Sequence, residues 1–164
     1  MSEQDAAMSE LMASRLNWVA DHVRTYIASG GAEGHIVDFT DIGGYPFSPT
    51  LLLRTKGRKS GETRITAVNY GLIDGGVAII ASKGGSDTHP AWYLNMQGHD
   101  TVDFQIGTQA FRASWRELEG DQRADVWAYM ERVYKPFRDY QEQAQRVIPL
   151  LFLQPLESIP VFSA

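Results

Sequence analysis

The order of the elements expected along this 164-residue chain predicts an α+β fold in which antiparallel strands form a β-barrel. An amphipathic helix opens the chain, and several short β-rich runs follow it. Two pairs of these runs are joined by glycine-containing turns of the kind that connect antiparallel strands. The regular alternation of strand and helix that builds a parallel, doubly wound sheet is missing, which favours the barrel over that architecture.

The first helix is predicted from residue 6 to residue 27, because apolar side chains recur there at spacings of three and four residues. The residues that this spacing places on one helical face are Met8, Leu11, Met12, Leu16, Val19, Val23 and Ile27. The pattern favours a helix that covers the barrel, with contact to a membrane or closure over a ligand as the alternatives. A glycine-rich stretch at 29–34 ends the helix. We therefore expect one globular domain, with helix and connector at 1–45 and the barrel at 46–164.

The β-rich runs are short and bounded by turn residues. Residues 50–55 form an apolar run that is typical of a buried strand. The runs 64–73 and 77–82 are joined by Asp74-Gly75-Gly76, and the runs 101–106 and 109–118 are joined by Gly107-Thr108. Each of these two pairs is expected to form an antiparallel hairpin.

Helices are predicted between and after the hairpins. A short helix at 87–97 would have Pro90 in its first turn, and a longer one would begin at Asp121, whose side chain is suited to capping. Pro136 is expected to break this second helix before another helical run at 137–147. The apolar run 150–153, bounded by Pro149 and Pro155, is predicted to be a final short strand.

Composition excludes several classes of function. The chain has no cysteine, so disulfides, thiolate metal sites and a cysteine nucleophile are excluded. Its four histidines are scattered without metal-ligand spacing, and we expect no metal site. The net charge of −5 argues against nucleic acid as a partner. Residues 1–5 do not resemble a signal peptide, so we expect a cytoplasmic protein, with contact to the inner face of the membrane through the first helix as the open alternative.

A cluster of cations lies between the first two predicted strands. Within the segment 56–64, Lys56, Arg58, Lys59 and Arg64 alternate with glycines and hydroxyl residues, among them Ser60. Glycines allow close approach of a ligand to the backbone, and guanidinium groups match phosphate or carboxylate oxygens. The loop is therefore suited to an anion, although an ordinary solvated hairpin tip has a similar composition. The spacing does not match a Walker phosphate loop.

A second loop is expected to reach the same place. Ser82 and Lys83 follow the strand that pairs with the one beginning near Arg64, so two loops would present cations together. Trp92 and Tyr93 come shortly afterwards. An aromatic wall beside an anion clamp is what a flat heterocyclic cofactor with a charged tail requires, although a single tryptophan is often only a core residue.

Taken together, these motifs resemble the deazaflavin-dependent nitroreductase family, whose members use coenzyme F420, an 8-hydroxy-5-deazaflavin. The resemblance runs from about residue 50 to 155. It is carried by Thr55-Lys56-Gly57-Arg58-Lys59-Ser60-Gly61, Arg64, Asp74-Gly75-Gly76, Ala81-Ser82-Lys83-Gly84-Gly85, Pro90-Ala91-Trp92-Tyr93-Leu94-Asn95, Asp139-Tyr140-Gln141 and Arg146-Val147-Ile148-Pro149. It implies a split β-barrel of the FMN-binding, pyridoxamine-phosphate-oxidase-like type, with an N-terminal helix and flanking helices.

The resemblance also implies an activity and a set of site residues. Members of the family transfer a hydride from the reduced cofactor to quinones or to activated nitroaromatics. Arg58, Lys59, Ser60 and Arg64 would hold the phosphate and acidic tail. The other cofactor-binding positions that it implies are Lys56, Thr66, Ala67, Ala81, Ser82, Lys83, Gly84, Ala91, Trp92 and Asn95. An FMN-dependent oxidoreductase of the same fold and a cofactor-binding protein without turnover are the alternatives.

The chain departs from the family pattern in the segment that would face the acceptor. Phe137 stands where nitroreductases of the family carry a tyrosine, and it has no hydroxyl to donate to an acceptor. Tyr134 and Tyr140 flank it at helical spacing and would substitute for that hydroxyl in the acceptor pocket, with simple packing of the helix against the barrel as the alternative. Ala67 replaces a proline that is common in the family, and we expect it to shift the strand only slightly.

Overall fold

The computed structural model describes residues 2–163, except for the side chains of residue 5 and residues 7–16. The helices are α1 (Glu3–Ala28), α2 (Ala91–Met96), α3 (Gly120–Val133) and α4 (Phe137–Gln143). The strands are β1 (Ile36–Val37), β2 (Ser48–Lys56), β3 (Thr63–Ile73), β4 (Gly76–Ile80), β5 (Thr101–Ile106), β6 (Gln109–Glu117) and β7 (Leu150–Ile159). Short 3-10 turns at Thr40–Ile42 and Lys83–Gly85 complete the order.

Six of the strands close into an antiparallel barrel. Neighbouring strands follow the order β2, β3, β4, β7, β6 and β5. The barrel closes where β2 pairs with β5, through Leu52 with Gln105, Leu53 with Phe104 and Arg54 with Asp103. The short strand β1 pairs with the start of β2. The prediction of an α+β barrel is therefore confirmed.

Three groups of buried side chains hold the helices and strands together. One fills the barrel and includes Leu51, Leu53, Ile79 and Phe104. A second packs α3 and α4 against the outside of β4 and β7, and a third packs the C-terminal end of α1 on β2 and β6. Because side chains alternate along a strand, consecutive residues such as Leu51 and Leu52 serve different groups.

Both predicted hairpins form. The β3–β4 turn has positive φ at both central residues, 44° at Asp74 and 77° at Gly75. Two-residue turns with this geometry match the twist of antiparallel strands, which explains the pairing of Ile73 with Gly76. The β5–β6 hairpin pairs Ile106 with Gln109 across Gly107-Thr108.

The last strand is longer than predicted, and Pro155 does not end it. β7 continues to Ile159 because Pro155 pairs with Ala113 at a shift of register between Arg112 and Ala113. A proline, which has no N–H to donate, is tolerated at such an irregularity.

Helix boundaries also differ from the predictions. α2 begins at Ala91 rather than at residue 87, and Pro90 is its N-cap instead of lying in its first turn. α4 ends at Gln143 rather than at residue 147, and Glu119 rather than Asp121 precedes α3. Asp121 lies in the first turn of α3, where a negative charge suits the helix dipole.

The prediction that Met8, Leu11, Met12 and Leu16 cover the barrel falls on side chains outside the described ones. Within the described residues, no helix is long and apolar enough to span a membrane.

The C-terminal end of α1 is fixed to the barrel by a buried tyrosine and a glycine. Tyr26 is fully buried; its hydroxyl donates to the Thr50 carbonyl oxygen at 2.9 Å and accepts from the Gly107 amide at 2.9 Å. Gly31 has a φ of +93°, and a Cβ there would lie 1.7 Å from the Gly107 carbonyl oxygen. The orientation of α1 therefore depends on close backbone approach at Gly31.

We predict that Gly31→Ala destabilises the protein by about 3 kcal/mol, as the sum of left-handed strain and a clash with backbone. Gly30→Ala is the matched control, since Gly30 also has positive φ but has nothing within 4 Å of an added Cβ. It should lower the free energy of unfolding by only about 1–2 kcal/mol. Equilibrium urea unfolding measures both values, and equal losses would contradict the close approach at Gly31.

Candidate functional site

A cleft of about 1070 Å³ opens on one side of the barrel. Its walls come from the β2–β3 loop, the middle of β3, the turn that follows β4 and the start of α2. A further wall comes from α1 and from the connector between α1 and β2, residues 29–47. The residues that line it are Trp18, Val19, Asp38, Phe39, Asp41, Ile42, Thr55, Gly57, Arg58, Lys59, Ser60, Arg64, Thr66, Ala67, Asn69, Lys83, Gly84, Pro90, Ala91, Trp92, Asn95 and Tyr134.

The cleft exists because β4 leaves β3 before β3 ends. Pairing between these strands runs from Ile73 with Gly76 to Tyr70 with Ile79. Beyond this point the chain follows β7, and the Ala81 amide donates to the Pro149 carbonyl oxygen. The part of β3 near the β2–β3 loop therefore turns one edge toward the cleft, and the predicted residues Thr66 and Ala67 lie on this part.

The β2–β3 loop is fixed to α2 by Asn95. This side chain is buried; its Oδ1 accepts from the Arg58 amide at 3.1 Å, and its Nδ2 donates to Thr55 Oγ1 at 3.2 Å. The loop is also closed on itself, because the Gly57 amide donates to the Glu62 carbonyl oxygen at 2.8 Å. Asn95, which the resemblance implies as a cofactor-binding residue, thus lines the cleft and also positions Arg58.

The two predicted cationic loops meet in this cleft. Arg58, Lys59 and Arg64 line it from the β2–β3 loop, and Lys83 lines it from the turn after β4. Arg64 also forms an ion pair with Glu62 at 3.1 Å, in which both side chains are largely exposed. Such a pair is weak, so it leaves Arg64 able to change partners.

Most of the implied cofactor-binding positions line the cleft, and three do not. Ser82 lies instead in a smaller adjoining pocket. Lys56 and Ala81 are absent from the described lining of both spaces. Lys56 is exposed and follows Thr55, which faces the cleft, so the alternation of a strand turns Lys56 away. Ala81 is fully buried and packs in the barrel interior.

The three residues expected at the acceptor lie together beside the cleft. Tyr134, Phe137 and Tyr140 line the adjoining pocket of about 220 Å³, which shares Asn69 and Lys83 with the cleft. The Tyr134 and Phe137 ring centroids are 4.8 Å apart, and the Tyr134 and Tyr140 hydroxyls are 3.2 Å apart. Phe137 is 4% exposed, so its ring is already largely packed.

One wall of the cleft was not predicted from the sequence. It includes Trp18 and Val19 on α1 and Asp38, Phe39, Asp41 and Ile42 in the connector; of these, only Val19 belongs to the predicted apolar face of the first helix. Phe39 contacts two other rings edge-on, with centroids 5.9 Å from Trp18 and 5.4 Å from Tyr134. Phe39 lies between two glycine-rich stretches, and an aromatic residue in such a loop could have indicated the site. The connector has too little periodicity to predict which way its side chains face.

Charges of both signs line the cleft. The Thr40 amide and hydroxyl donate to Asp38 Oδ1 at 2.9 and 2.7 Å, and these bonds lower the pKa of Asp38. Asp38 is therefore ionised at neutral pH. Against a net charge of −5, the cations of the two loops form a local positive region that suits an anionic ligand.

Asn69 gives an independent indication of a ligand. Among the side chains that the structure describes, Asn69 Nδ2 is the buried polar atom without a hydrogen-bond partner. Asn69 lines both the cleft and the smaller pocket. A buried amide donor without a partner costs free energy, so its presence at this junction favours a bound molecule that accepts a hydrogen bond.

The chain is similar to known proteins over most of its length. A model of the F420H(2)-dependent quinone reductase family matches residues 18–155. An F420H(2)-dependent quinone reductase of Mycobacterium tuberculosis is 30% identical over 135 residues, covering 80% of this chain and 86% of the relative. A putative F420H(2)-dependent quinone reductase of Mycobacterium bovis matches to the same extent.

Solved structures agree with these relatives. An F420-H2 dependent reductase, FDR-A, is 36% identical with a TM-score of 0.59, covering 65% of this chain and 94% of that chain. A chain solved as a domain-swapped dimer is 31% identical with a TM-score of 0.62, covering 85% of this chain and 99% of that chain. The predicted resemblance to deazaflavin-dependent reductases is thereby confirmed, and the chain belongs to the F420H(2)-dependent quinone reductase family.

Proposed function

We propose that this protein is an oxidoreductase that uses reduced coenzyme F420 to reduce quinones. The observation that carries the proposal is the meeting of Arg58, Lys59, Arg64 and Lys83 in one cleft, in a chain of this family. When bound, the reduced cofactor supplies a hydride, and the protein supplies binding, orientation and exclusion of water.

The residues of the cleft fit the parts of such a cofactor. Arg58, Lys59 and Arg64 provide charge-assisted hydrogen bonds for a phosphate and an acidic tail. Trp92 packs in the barrel core with 9% exposure and also lines the cleft, where it would border a ring system. The Asn69 amide lies where the two spaces join. The cleft volume of about 1070 Å³ is large enough for a ligand of this size.

The smaller pocket is proposed to receive the acceptor. Tyr134, Phe137 and Tyr140 give this pocket an aromatic lining that suits a flat quinone, and the half-buried Tyr140 is the most accessible of the three. The Tyr134 and Tyr140 hydroxyls can hold hydrogen bonds to an acceptor oxygen, which Phe137 cannot. Nitroreductases of the family carry a tyrosine at the position of Phe137, and its hydroxyl is missing here. The pocket therefore favours quinones over nitroaromatics.

The partners and location of the protein remain predictions. Cytoplasmic location and contact of the first helix with the inner face of the membrane rest on the sequence. A second copy of the chain as a partner is suggested by the similar chain solved as a domain-swapped dimer. Sedimentation of the purified protein, with and without liposomes, tests both kinds of association.

Binding and turnover test the proposed function separately. The purified protein is titrated with oxidised F420 and, in parallel, with FMN, and binding is followed by fluorescence. We expect F420 to bind and FMN to bind at least tenfold more weakly. Oxidation of reduced F420 is then followed with a panel of quinones. Tighter binding of FMN would support the FMN-dependent alternative, and F420 binding without turnover on any quinone would support a cofactor-binding protein.

We predict that Arg58→Ala and Lys59→Ala each weaken F420 binding by about 1.5–3 kcal/mol, because each removes a charge-assisted contact. The loss should be larger at low salt, where charges are less screened. Lys56→Ala is the matched control, since Lys56 is a cation of the same segment that faces away from the cleft. Fluorescence titration measures all three, and a similar loss in Lys56→Ala would mean that the effect is long-range rather than local.

We predict that Phe137→Tyr gains turnover on nitroaromatic acceptors while quinone turnover changes little. The added hydroxyl would lie in the acceptor pocket beside Tyr134. Phe111→Tyr adds the same group on β6, at a position that pairs with Phe104 across the sheet, and serves as the control. Oxidation of reduced F420 with each acceptor is the measurement. No gain in Phe137→Tyr would mean that the proton or hydrogen bond comes from another group.

We predict opposite effects on stability and binding for Asn69→Leu. Replacing a buried donor that has no partner by an apolar group of similar shape should leave the free energy of unfolding unchanged or raise it by about 1 kcal/mol. Ligand affinity should fall about tenfold, since one hydrogen bond is lost. Urea unfolding and F420 titration measure the two effects. A destabilised variant with unchanged affinity would contradict the assignment of Asn69 to the ligand.

A further inference from the structure

Arg146 makes four hydrogen bonds to a single segment of the chain. It lies between α4 and β7, and its Nε donates to the Ser86 carbonyl oxygen at 2.9 Å. Its Nη2 donates to the carbonyl oxygens of Ala81 at 3.1 Å and Ser82 at 3.0 Å. Its Nη1 lies 3.0 Å from Nδ1 of His89. Arg146 is absent from the described lining of the cleft, so its hydrogen bonds act on the cleft through these partners.

The partners of Arg146 bracket two walls of the cleft. Lys83 and Gly84, which line the cleft, lie between the bonded carbonyls of Ser82 and Ser86. His89 directly precedes Pro90, where the α2 wall of the cleft begins. One partly buried guanidinium group, outside the cleft lining, therefore joins the Lys83 turn to the residue that precedes Pro90.

The Lys83 turn requires such support. Lys83 has a φ of 46°, a left-handed conformation that costs a residue with a Cβ about 1–2 kcal/mol. Two local bonds close the turn, from the Gly85 amide to the Ser82 carbonyl oxygen at 3.0 Å and from the Ser86 amide to the Lys83 carbonyl oxygen at 3.2 Å. A strained turn persists when surrounding contacts determine its shape, and Arg146 donates three hydrogen bonds to backbone carbonyls on the two sides of this turn.

The bond to His89 depends on the protonation of the ring. A guanidinium group only donates hydrogen bonds, so His89 Nδ1 must accept and the ring proton must lie on Nε2. A protonated ring has no acceptor and would place a second positive charge beside Arg146. Protonation of His89 therefore removes one of the four bonds that hold the segment.

We propose that Arg146 is a positioning residue that holds Lys83 in place for the anionic tail of the cofactor, and that protonation of His89 releases this hold. The inference rests on the proposed function, because Lys83 is taken to contact the cofactor. It adds to that function a residue outside the cleft and a dependence of cofactor affinity on pH.

The surroundings of His89 set the direction of this dependence. Burial, and next the charge of Arg146, lower the pKa of His89, while Glu117 raises it. Glu117 accepts a hydrogen bond from the Tyr93 hydroxyl, and the Tyr93 ring lies 4.7 Å from that of His89. Asp87 also belongs to the segment and accepts from the Gln145 amide at 2.7 Å. Because the folded pKa lies below 6.5, the bond is intact at neutral pH and is lost as the pH falls through the lowered value.

Hydrogen exchange in the cofactor-free protein tests the hold on the turn. Arg146→Lys keeps the charge but replaces a planar fork of donors by a single ammonium group, which cannot reach all four acceptors. We expect the Gly85 and Ser86 amides to exchange at least tenfold faster in this variant, with β5 and β6 unchanged. Arg116→Lys is the matched control, because Arg116 is exposed and bonds to Gln122 away from the cleft. Unchanged exchange in Arg146→Lys would overturn the proposal.

Kinetics with reduced F420 test the consequence for the site. For Arg146→Lys we expect KM for the cofactor to rise about tenfold, with kcat at saturating cofactor retained within about twofold. A loss in kcat alone would overturn the positioning role. If the wild-type protein binds no F420, the proposed function fails, whereas hydrogen exchange still decides whether Arg146 holds the turn.

The pH dependence is tested with His89→Asn, which keeps an acceptor oxygen near the place of Nδ1 but does not titrate. We expect F420 affinity of the wild-type protein to fall about fivefold or more between about pH 7.5 and 5.5, through loss of one charge-assisted bond. In His89→Asn this decrease should be at least halved. The same pH profile in both proteins would overturn the role of His89.

Discussion

The site depends on one feature of the barrel, the separation of β4 from β3 beyond the pairing of Tyr70 with Ile79. β4 has five residues, whereas β3 has eleven, so β3 extends beyond its neighbour. β4 is held instead by β7, through bonds that continue to the contact between Ala81 and Pro149. The part of β3 that does not pair with β4 lines the cleft through Thr66, Ala67 and Asn69. The turn that follows β4 lines the same cleft through Lys83 and Gly84. Residues of both cationic loops line this opening.

The charged residues that line the cleft are mostly cations, although the net charge of the whole chain is negative. The chain carries a net charge of −5, yet four cations line one cleft. Each of the two cationic loops is fixed by hydrogen bonds between its backbone and a polar side chain of another segment. Asn95 holds the amide of Arg58, and Arg146 holds the carbonyls on both sides of Lys83. Because the backbone of each loop is fixed, only the exposed side chains need to reorganise when an anion binds.

Aromatic residues connect the cleft to the helices around the barrel. Trp18 of α1 contacts Phe39 of the connector, Phe39 contacts Tyr134, and Tyr134 contacts Phe137 and Tyr140. The position of α1 is in turn fixed by Tyr26 and Gly31 at the end of the barrel. The wall beside the acceptor pocket is thus assembled from segments that are distant in sequence.

The sequence by itself determined the antiparallel hairpins, the α+β barrel, the two cationic loops and the aromatic residues near 134–140. These features are local, because turn chemistry, alternation and residue type act over a few neighbouring positions. Tertiary structure decided which residues face the cleft and which do not. Lys56 and Ala81 turn away through strand alternation and burial, whereas Trp18, Phe39 and Asn69 enter the site. It also decided that β7 continues past Pro155, because the register shift opposite Ala113 accommodates a residue without an N–H. The direction of a side chain, the register of a strand and its long-range contacts all depend on which strand it pairs with. No short segment of the sequence specifies that partner strand.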